Sequence, residues 1–241
     1  MKKVANMQNW IAELPVELMT EVLTHCTLRN LKKGEHLFSL GESSDECFQV
    51  KSGYLKVIAF NYSGREMLHS HALAGDCIGD WELINDEPRN NSVIACESSC
   101  IYVLNSRRFW HFYNRYPDVA KAINKVMVRR LRFSNMLAED ACLLSLKQRV
   151  GRLLIRMAYS VGCVSLDGRA EIPNISQNDL GNIVGSPRQS VARELKKIEK
   201  EGCIEIGYGR LVINNIEDFS KQHDELLGAE TLVPNSGRLC C

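Results

Sequence analysis

Hydrophobic residues follow two different rhythms along this chain. Across residues 31–104 short apolar runs are punctuated by Gly34, Gly41, Gly53, Gly64 and Gly75, with gaps of seven, twelve, eleven and eleven residues. Runs such as Tyr54-Leu55-Lys56-Val57-Ile58-Ala59-Phe60 and Ser92-Val93-Ile94-Ala95-Cys96 are rich in β-branched and aromatic residues. Such residues suit a pleated, half-buried surface, and glycine supplies the positive φ of tight turns. The pattern predicts a sandwich or barrel of about eight short strands. Before it, Trp10-Ile11-Ala12-Glu13-Leu14 and the apolar positions from Leu18 to Leu23 read as a short helical lead-in.

After Leu104 glycine vanishes until Gly151 and the period becomes helical. Pro117 followed by Asp118 marks a helix start, since proline needs no N–H in the first turn and an acid there complements the helix dipole. From that start Val119, Ile123, Val126, Phe133 and Leu137 lie near one stripe, interrupted by Arg130. Such a stripe says only that one face is buried, against the protein's own β-domain or against a second copy, and both readings stay open. A second helix over residues 145–160 carries Leu146, Val150, Leu153, Leu154 and Met157, and a turn-rich patch follows at residues 162–173. A boundary between domains is expected near Leu143.

The densest signal lies at residues 175–195. Ser176 can cap a helix, with Asp179 three residues on completing a short-armed capping box. That helix shows Leu180, Ile183 and Val184 inward and stops at Gly185, after which Ser186 is expected to cap a second helix with Pro187 in its first position. Val191, Leu195 and Ile198 share one face of the second helix, leaving Arg188, Gln189, Arg193, Lys196 and Lys197 to point out. Arginine pairs bidentately with guanine and glutamine with adenine in the major groove, so the outward set suits base reading. Downstream, Cys203-Ile204-Glu205-Ile206 and Leu211-Val212-Ile213 flank Gly207-Tyr208-Gly209-Arg210 as a β-hairpin. Tyr208 and Arg210 at its tip are expected to touch a phosphate backbone.

Composition narrows the class. The 241 residues exceed the usual length of one domain, and 45% hydrophobic with 24% charged residues describes a folded globular chain. Residues 1–18 hold no apolar run of signal-peptide length, and no stretch approaches the ~20 apolar residues that span a bilayer, so a cytoplasmic location without membrane contact is expected. Ten cysteines form no CxxC pair, and scattered thiols in a reducing compartment behave as small hydrophobes. Cys240 and Cys241 read as part of a tail. The net charge of +1 does not itself suggest nucleic acid, and eleven basic against nine acidic residues over residues 145–220 supports it only if the basic ones share a face.

These residues resemble the CRP/FNR family of bacterial transcription regulators over nearly the whole chain. The similarity runs through Gln177-Asn178-Asp179-Leu180, Val184-Gly185 and Arg188-Gln189-Ser190-Val191-Ala192-Arg193-Glu194-Leu195, and through Lys33-Gly34-Glu35, Gly41-Glu42, Gly53, Gly64-Arg65-Glu66 and Ala74-Gly75-Asp76. It implies an α+β architecture: an N-terminal jelly-roll-like β-roll sensor domain (residues 1–116), a long dimerisation helix (117–142), a C-terminal winged helix-turn-helix (143–220) and a C-terminal tail (221–241). The implied function is homodimeric, sequence-specific binding of double-stranded promoter DNA, switched by a signal in the β-roll, with RNA polymerase a partner of an activator. Arg188, Gln189 and Arg193 fall where the family reads bases and Ser190 where it reaches phosphate; Ser176, Gln177, Lys196, Tyr208 and Arg210 complete the expected contact set. The family commonly has glutamate where Gln189 stands, so its best-known half-site does not transfer.

The family's cyclic-nucleotide cassette is matched less well. Gly79-Asp80-Trp81-Glu82-Leu83 and Pro88-Arg89-Asn90-Asn91-Ser92 keep a glycine and an arginine able to meet a phosphate. Asp80 is shorter than the family's ribose-holding glutamate, Trp81 and Glu82 add bulk and negative charge, and Asn90 replaces a serine. By resemblance the effector residues are Gly79, Asp80, Arg89 and Asn90, with Ser134 and Asn135 on the long helix meeting a base across the dimer; the departures weigh against a cyclic nucleotide. A cyclic nucleotide is thus a possible but disfavoured ligand, no other cofactor is indicated, and no metal is expected. Only Cys26 precedes the β-roll, which leaves an iron–sulfur centre unsupported, and His69 with His71 could join Cys77 or Cys96 on a metal but reads better as a surface pair. The competing function is a nucleotide-, metal- or redox-responsive module whose main role is not promoter binding. No P-loop, GxSxG, HExxH or Rossmann signature points to an enzyme.

Overall fold

The computed structural model describes residues 8–60, 66–160, 162–173 and 175–223. Gly64 and the expected tail beyond residue 223, including Cys240 and Cys241, lie outside them. The chain divides into two compact units inside its longest helix, one holding residues 7–130 and the other beginning at Leu131.

In the first unit a 3₁₀ turn, Ile11–Glu13, and helix α1, Val16–Thr24, form the lead-in. Eight strands follow: β1 Thr27–Leu31, β2 His36–Phe38, β3 Glu46–Ser52, β4 Tyr54–Phe60, β5 Glu66–Leu73, β6 Cys77–Ile78, β7 Ser92–Ala95 and β8 Ser99–Asn105. They make two four-stranded antiparallel sheets ordered β1-β8-β3-β6 and β2-β7-β4-β5. Inward residues of both, among them Val50, Leu55, Val93 and Ile101, fill one core. The glycine rhythm thus predicts the strand region correctly, and β4 occupies the same residues as the expected apolar run.

Three helices complete this unit. The sequence pattern did not single out α2, Asp80–Asn85, or α3, Ser106–Arg115. Both are short; α3 starts where the Asn105 side chain accepts the Arg108 N–H at 2.9 Å. Helix α4 runs Pro117–Leu143 from the expected proline. The reading that it packs on its own domain holds for its first half. Val119, Ala122, Ile123 and Val126 bury against Trp10, Leu18, Phe109 and Phe112 of their own domain, whereas Leu131 and Leu137 stand exposed. Glu13 fastens the buried half, pairing with Arg129 at 2.7 Å and Lys125 at 3.7 Å.

In the second unit the end of α4 leads to α5, Leu146–Ser160, then β9 Cys163–Val164, β10 Ala170–Pro173, α6 Gln177–Val184, α7 Arg188–Lys200, β11 Ile204–Gly207, β12 Arg210–Ile213 and α8 Ile216–His223. The strands form one antiparallel sheet ordered β11-β12-β10-β9. Leu154, Leu180, Val191, Leu195, Ile198, Ile213 and Phe219 share its core. α8 carries the fold past residue 220, where the tail was expected, because Phe219 and His223 are both buried with ring centroids 4.4 Å apart.

Candidate nucleic-acid interface and buried cassette

Helices α6 and α7 are set by local chemistry. The Ser176 hydroxyl accepts the Asp179 N–H and the Asp179 carboxylate accepts the Ser176 N–H, both at 3.1 Å, which closes the expected capping box. Gly185 ends α6 at φ 66°, a left-handed conformation that glycine adopts without a steric penalty. The entry to α7 differs from expectation. Pro187, with ψ 140°, is the N-cap and Arg188 the first helical residue. Ser186 lies one residue before the cap, because the first helical bonds, from the Ser190 and Val191 N–H groups, are accepted by the Pro187 carbonyl at 2.9 and 3.2 Å.

Arg149 of α5 braces this turn from below, donating to the Val184 carbonyl at 3.2 Å. Beneath α7, Val191, Leu195 and Ile198 are buried. Its outer face shows Arg188, Gln189, Arg193, Lys196 and Lys197 exposed, as the helical spacing predicts. Gln189, Arg193, Lys196 and Lys200 recur at steps of four, three and four residues, hence on one face.

Counting charges in sequence overstated the basic surplus, because most of the cations are already paired. Arg152 and Arg156 hold buried Asp140 at 3.0 and 2.6 Å, Lys147 meets Glu201 at 2.5 Å, Arg169 meets Glu205 at 3.1 Å and Lys197 meets Glu194 at 2.8 Å. Among the described residues Arg188, Arg193, Lys196 and Lys200 form no ion pair, and all four lie on α7. Arg193 rests over its own helix, with Ser190 Oγ 3.5 Å away. Of the remaining expected contacts, the Ser176 hydroxyl serves the cap, Gln177 is half-buried as the first residue of α6, and Tyr208 is fully exposed between Gly207 and Gly209 at the hairpin tip. Arg210 is exposed but leans toward Glu171 at 3.6 Å.

The expected effector residues present the opposite picture. Gly79, Asp80 and Arg89 do come together, in the first unit, but they are buried and engaged. The Arg89 side chain is 2% exposed. It donates to the Gly79 carbonyl at 3.0 Å and to the Glu46 carbonyl, lies over the Phe38 ring at 4.5 Å, and faces Glu82 at 3.6 Å. Burial draws its ionisation below the ordinary arginine value, and the Glu82 carboxylate is the first of the charges opposing that shift. Asp80, 1% exposed, accepts both its contacts from Arg130 Nη1, at 3.2 and 3.1 Å. Arg130 also lies 5.2 Å from the Trp81 ring. The residue that interrupts the apolar stripe of α4 is therefore the partner of Asp80, a role only a lone arginine on an apolar face could have hinted at. Asn90 is exposed, and Ser134 and Asn135 are exposed on α4 in the other unit.

The histidine pair is not aligned on one face of its strand. A β-bulge falls between Leu68 and Ser70 of β5, interrupting the alternation that would align His69 with His71. Among the described residues no group of three His, Cys, Asp or Glu side chains could hold a metal ion. Cys47 and Cys77 are buried and Cys26 is half-buried, all in the core beside α4. Burial pushes the thiol of Cys26 up to about 11 and that of Cys47 higher than its ordinary value, as expected of packing residues rather than reactive ones. Among the described residues no helix is long and apolar enough to cross a membrane.

Comparison with known proteins separates the chain along the same lines. Residues 28–116 match the cyclic nucleotide-binding domain family and residues 148–221 the Crp-like helix-turn-helix domain family. The cAMP-activated global transcriptional regulator CRP of Salmonella typhimurium is 22% identical over 192 residues, covering 79% of this chain and 90% of that protein. Among solved structures, the c-di-GMP responsive global regulator CLP of Xanthomonas campestris aligns with a TM-score of 0.70 at 20% identity, covering 83% of this chain and 99% of that one. FixK2 of Bradyrhizobium japonicum aligns at 0.67 and 18% identity, covering 81% and 96%.

Proposed function

The chain belongs to the CRP/FNR family of DNA-binding transcription regulators, and from that premise we propose that it acts as a homodimer on palindromic promoter DNA, in the cytoplasm and without catalysis of its own. The observation that carries this reading is the set Arg188, Gln189, Arg193 and Lys196, exposed on α7 and free of ion pairs among the described residues. Arg188, Gln189 and Arg193 would read base edges in the major groove, Ser190 and Lys196 would reach phosphates, and Tyr208 and Arg210 would add backbone contacts from the hairpin. Ser176 and Gln177 would approach the same groove at the start of α6. Exposed Leu131 and Leu137 support residues 117–142 as the dimer helix, since large apolar side chains on a helix surface favour a partner. RNA polymerase would be the further partner where the bound protein activates.

Selection of bound sequences from a random DNA pool tests the proposal. The expected product is a two-fold symmetric site with half-sites about 34 Å apart, one turn of DNA. Binding that falls with salt yet shows no sequence preference would mean a general electrostatic contact, contrary to this reading.

A further inference from the structure

The cassette of the β-roll carries an internal anion. We propose that Glu82 takes the place on Arg89 that a nucleotide phosphate would occupy, so that the β-roll holds its cassette in place without a nucleotide and the chain binds its DNA unliganded. The proposal rests on the promoter-binding reading only in its last clause.

Three observations lead there. First, the Arg89 guanidinium is enclosed: it lies over the rings of Phe38 at 4.5 Å and Phe48 at 5.4 Å and donates to the Gly79 and Glu46 carbonyls. Second, the anion within reach is the chain's own, with Glu82 Oε2 3.6 Å from Arg89 Nη1 and the two side chains 10% and 2% exposed. A buried cation is tolerated only with a counter-charge, and a buried carboxylate likewise, so each is the reason the other can be there. Third, the carboxylate that would receive a ribose hydroxyl is also occupied, because both oxygens of Asp80 accept from Arg130. That pair ties α2 to α4 directly.

An incoming phosphodiester would therefore have to displace Glu82 from Arg89 and then remain beside it. Like charges a few ångströms apart in a water-poor site lower affinity by about a hundredfold or more. Removing the Glu82 charge reverses the situation. Arg89 becomes a buried cation without its counter-ion, and its Nε, which has no acceptor among the described residues, offers a further donor to an anion.

The test is isothermal titration and thermal unfolding of the full chain with cyclic AMP, cyclic GMP and inorganic phosphate, for the natural protein, Glu82→Ala and Glu82→Gln. The natural protein is expected to bind none of the three in the millimolar range or below, to keep its melting temperature in their presence, and to bind selected DNA equally with and without nucleotide. Glu82→Ala should melt lower and recover with phosphate or a cyclic nucleotide. Glu82→Gln, which preserves volume, should behave alike with a smaller change and covers the case in which the alanine variant does not fold. Micromolar nucleotide binding by the natural protein that Arg89→Met abolishes would overturn the proposal, as would a folded Glu82→Gln that gains no anion binding. Anion binding gained by the variants of a protein that bound no DNA would support the internal anion and sink the promoter reading instead.

Discussion

The outer face of α7 and the cassette around Arg89 contain similar residue types and have opposite fates. On α7 the arginines and glutamine are exposed, Arg193 touching only its own helix, and the neighbours beneath them are apolar. In the cassette each of two buried carboxylates faces its own arginine, Glu82 with Arg89 and Asp80 with Arg130. A matching residue therefore carries over a family role only where its neighbours leave it available. The helix-turn-helix meets that condition, whereas Glu82 and Arg130 remove it from the cassette.

The same substitution made in both places gives the strongest contrast. Arg89→Ala leaves Glu82 buried without its cation and removes the donors to the Gly79 and Glu46 carbonyls. It should lower stability by roughly 3–5 kcal/mol, as breaking a buried pair does. Urea unfolding followed by a β-roll tryptophan such as Trp10 or Trp110 would measure it, and a loss under 1 kcal/mol would mean that Glu82 and Arg89 do not depend on one another. Arg193→Ala, on an exposed position, should change stability by less than about 0.5 kcal/mol. It should instead weaken the selected DNA site by roughly 1–3 kcal/mol and relax selectivity at one base pair. An equal loss on all sequences would reassign Arg193 to the phosphate backbone.

Gln189 sharpens the comparison within the α7 face itself. A carboxamide both donates and accepts, which suits adenine, whereas a carboxylate only accepts, which suits the amino group of cytosine. Gln189→Glu should therefore move preference at one base pair of each half-site from A·T toward G·C by about 1–3 kcal/mol. Sequence selection with both proteins reads this directly, and an unchanged consensus would show that Gln189 does not reach the base edges.

What was legible in the sequence follows from the same distinction. The strand region, the start of α4 at Pro117, the Ser176–Asp179 cap, the Gly185 turn and the faces of α7 all depend on interactions within a few residues, and periodicity or cap chemistry reports those. The contacts that redefine the cassette span longer separations: Asp80 with Arg130, Arg89 with the Glu46 carbonyl and with Phe38. Nothing in the local pattern specifies them, so Arg130 reads in sequence as a flaw in an apolar stripe. The basic count needs the fold for the same reason. Arg152 and Arg156 count as surface charge until Asp140, from the preceding helix, is seen between them. The cap of α7 falls one residue beyond Ser186 because the helical bonds begin at the Pro187 carbonyl, which a side-chain pattern does not report.

Asp76 marks the limit of the cassette's self-sufficiency, and its effect is the smallest expected. Unlike Asp80 it forms no ion pair among the described residues; Oδ2 accepts the Leu73 N–H at 2.8 Å, and Arg130 acts on it as a nearby charge. Burial raises its ionisation from 3.8 to about 6, against the opposing pull of that hydrogen bond and of Arg130. The folded chain then binds more protons than the unfolded one between these values. Stability contributed by the protonated form is fully present below about pH 4 and is lost as pH rises through 6. Asp76→Asn keeps an acceptor for the Leu73 N–H and cannot ionise. It should stabilise the protein by about 1 kcal/mol at pH 7, less than the shift alone implies because the residue is partly exposed and water screens it. That gain should shrink as pH is lowered toward 4 in urea unfolding series. A constant difference across the range would mean that Asp76 ionises as freely in the fold as outside it, and that burial in this unit is harmless even to a carboxylate with no cation of its own.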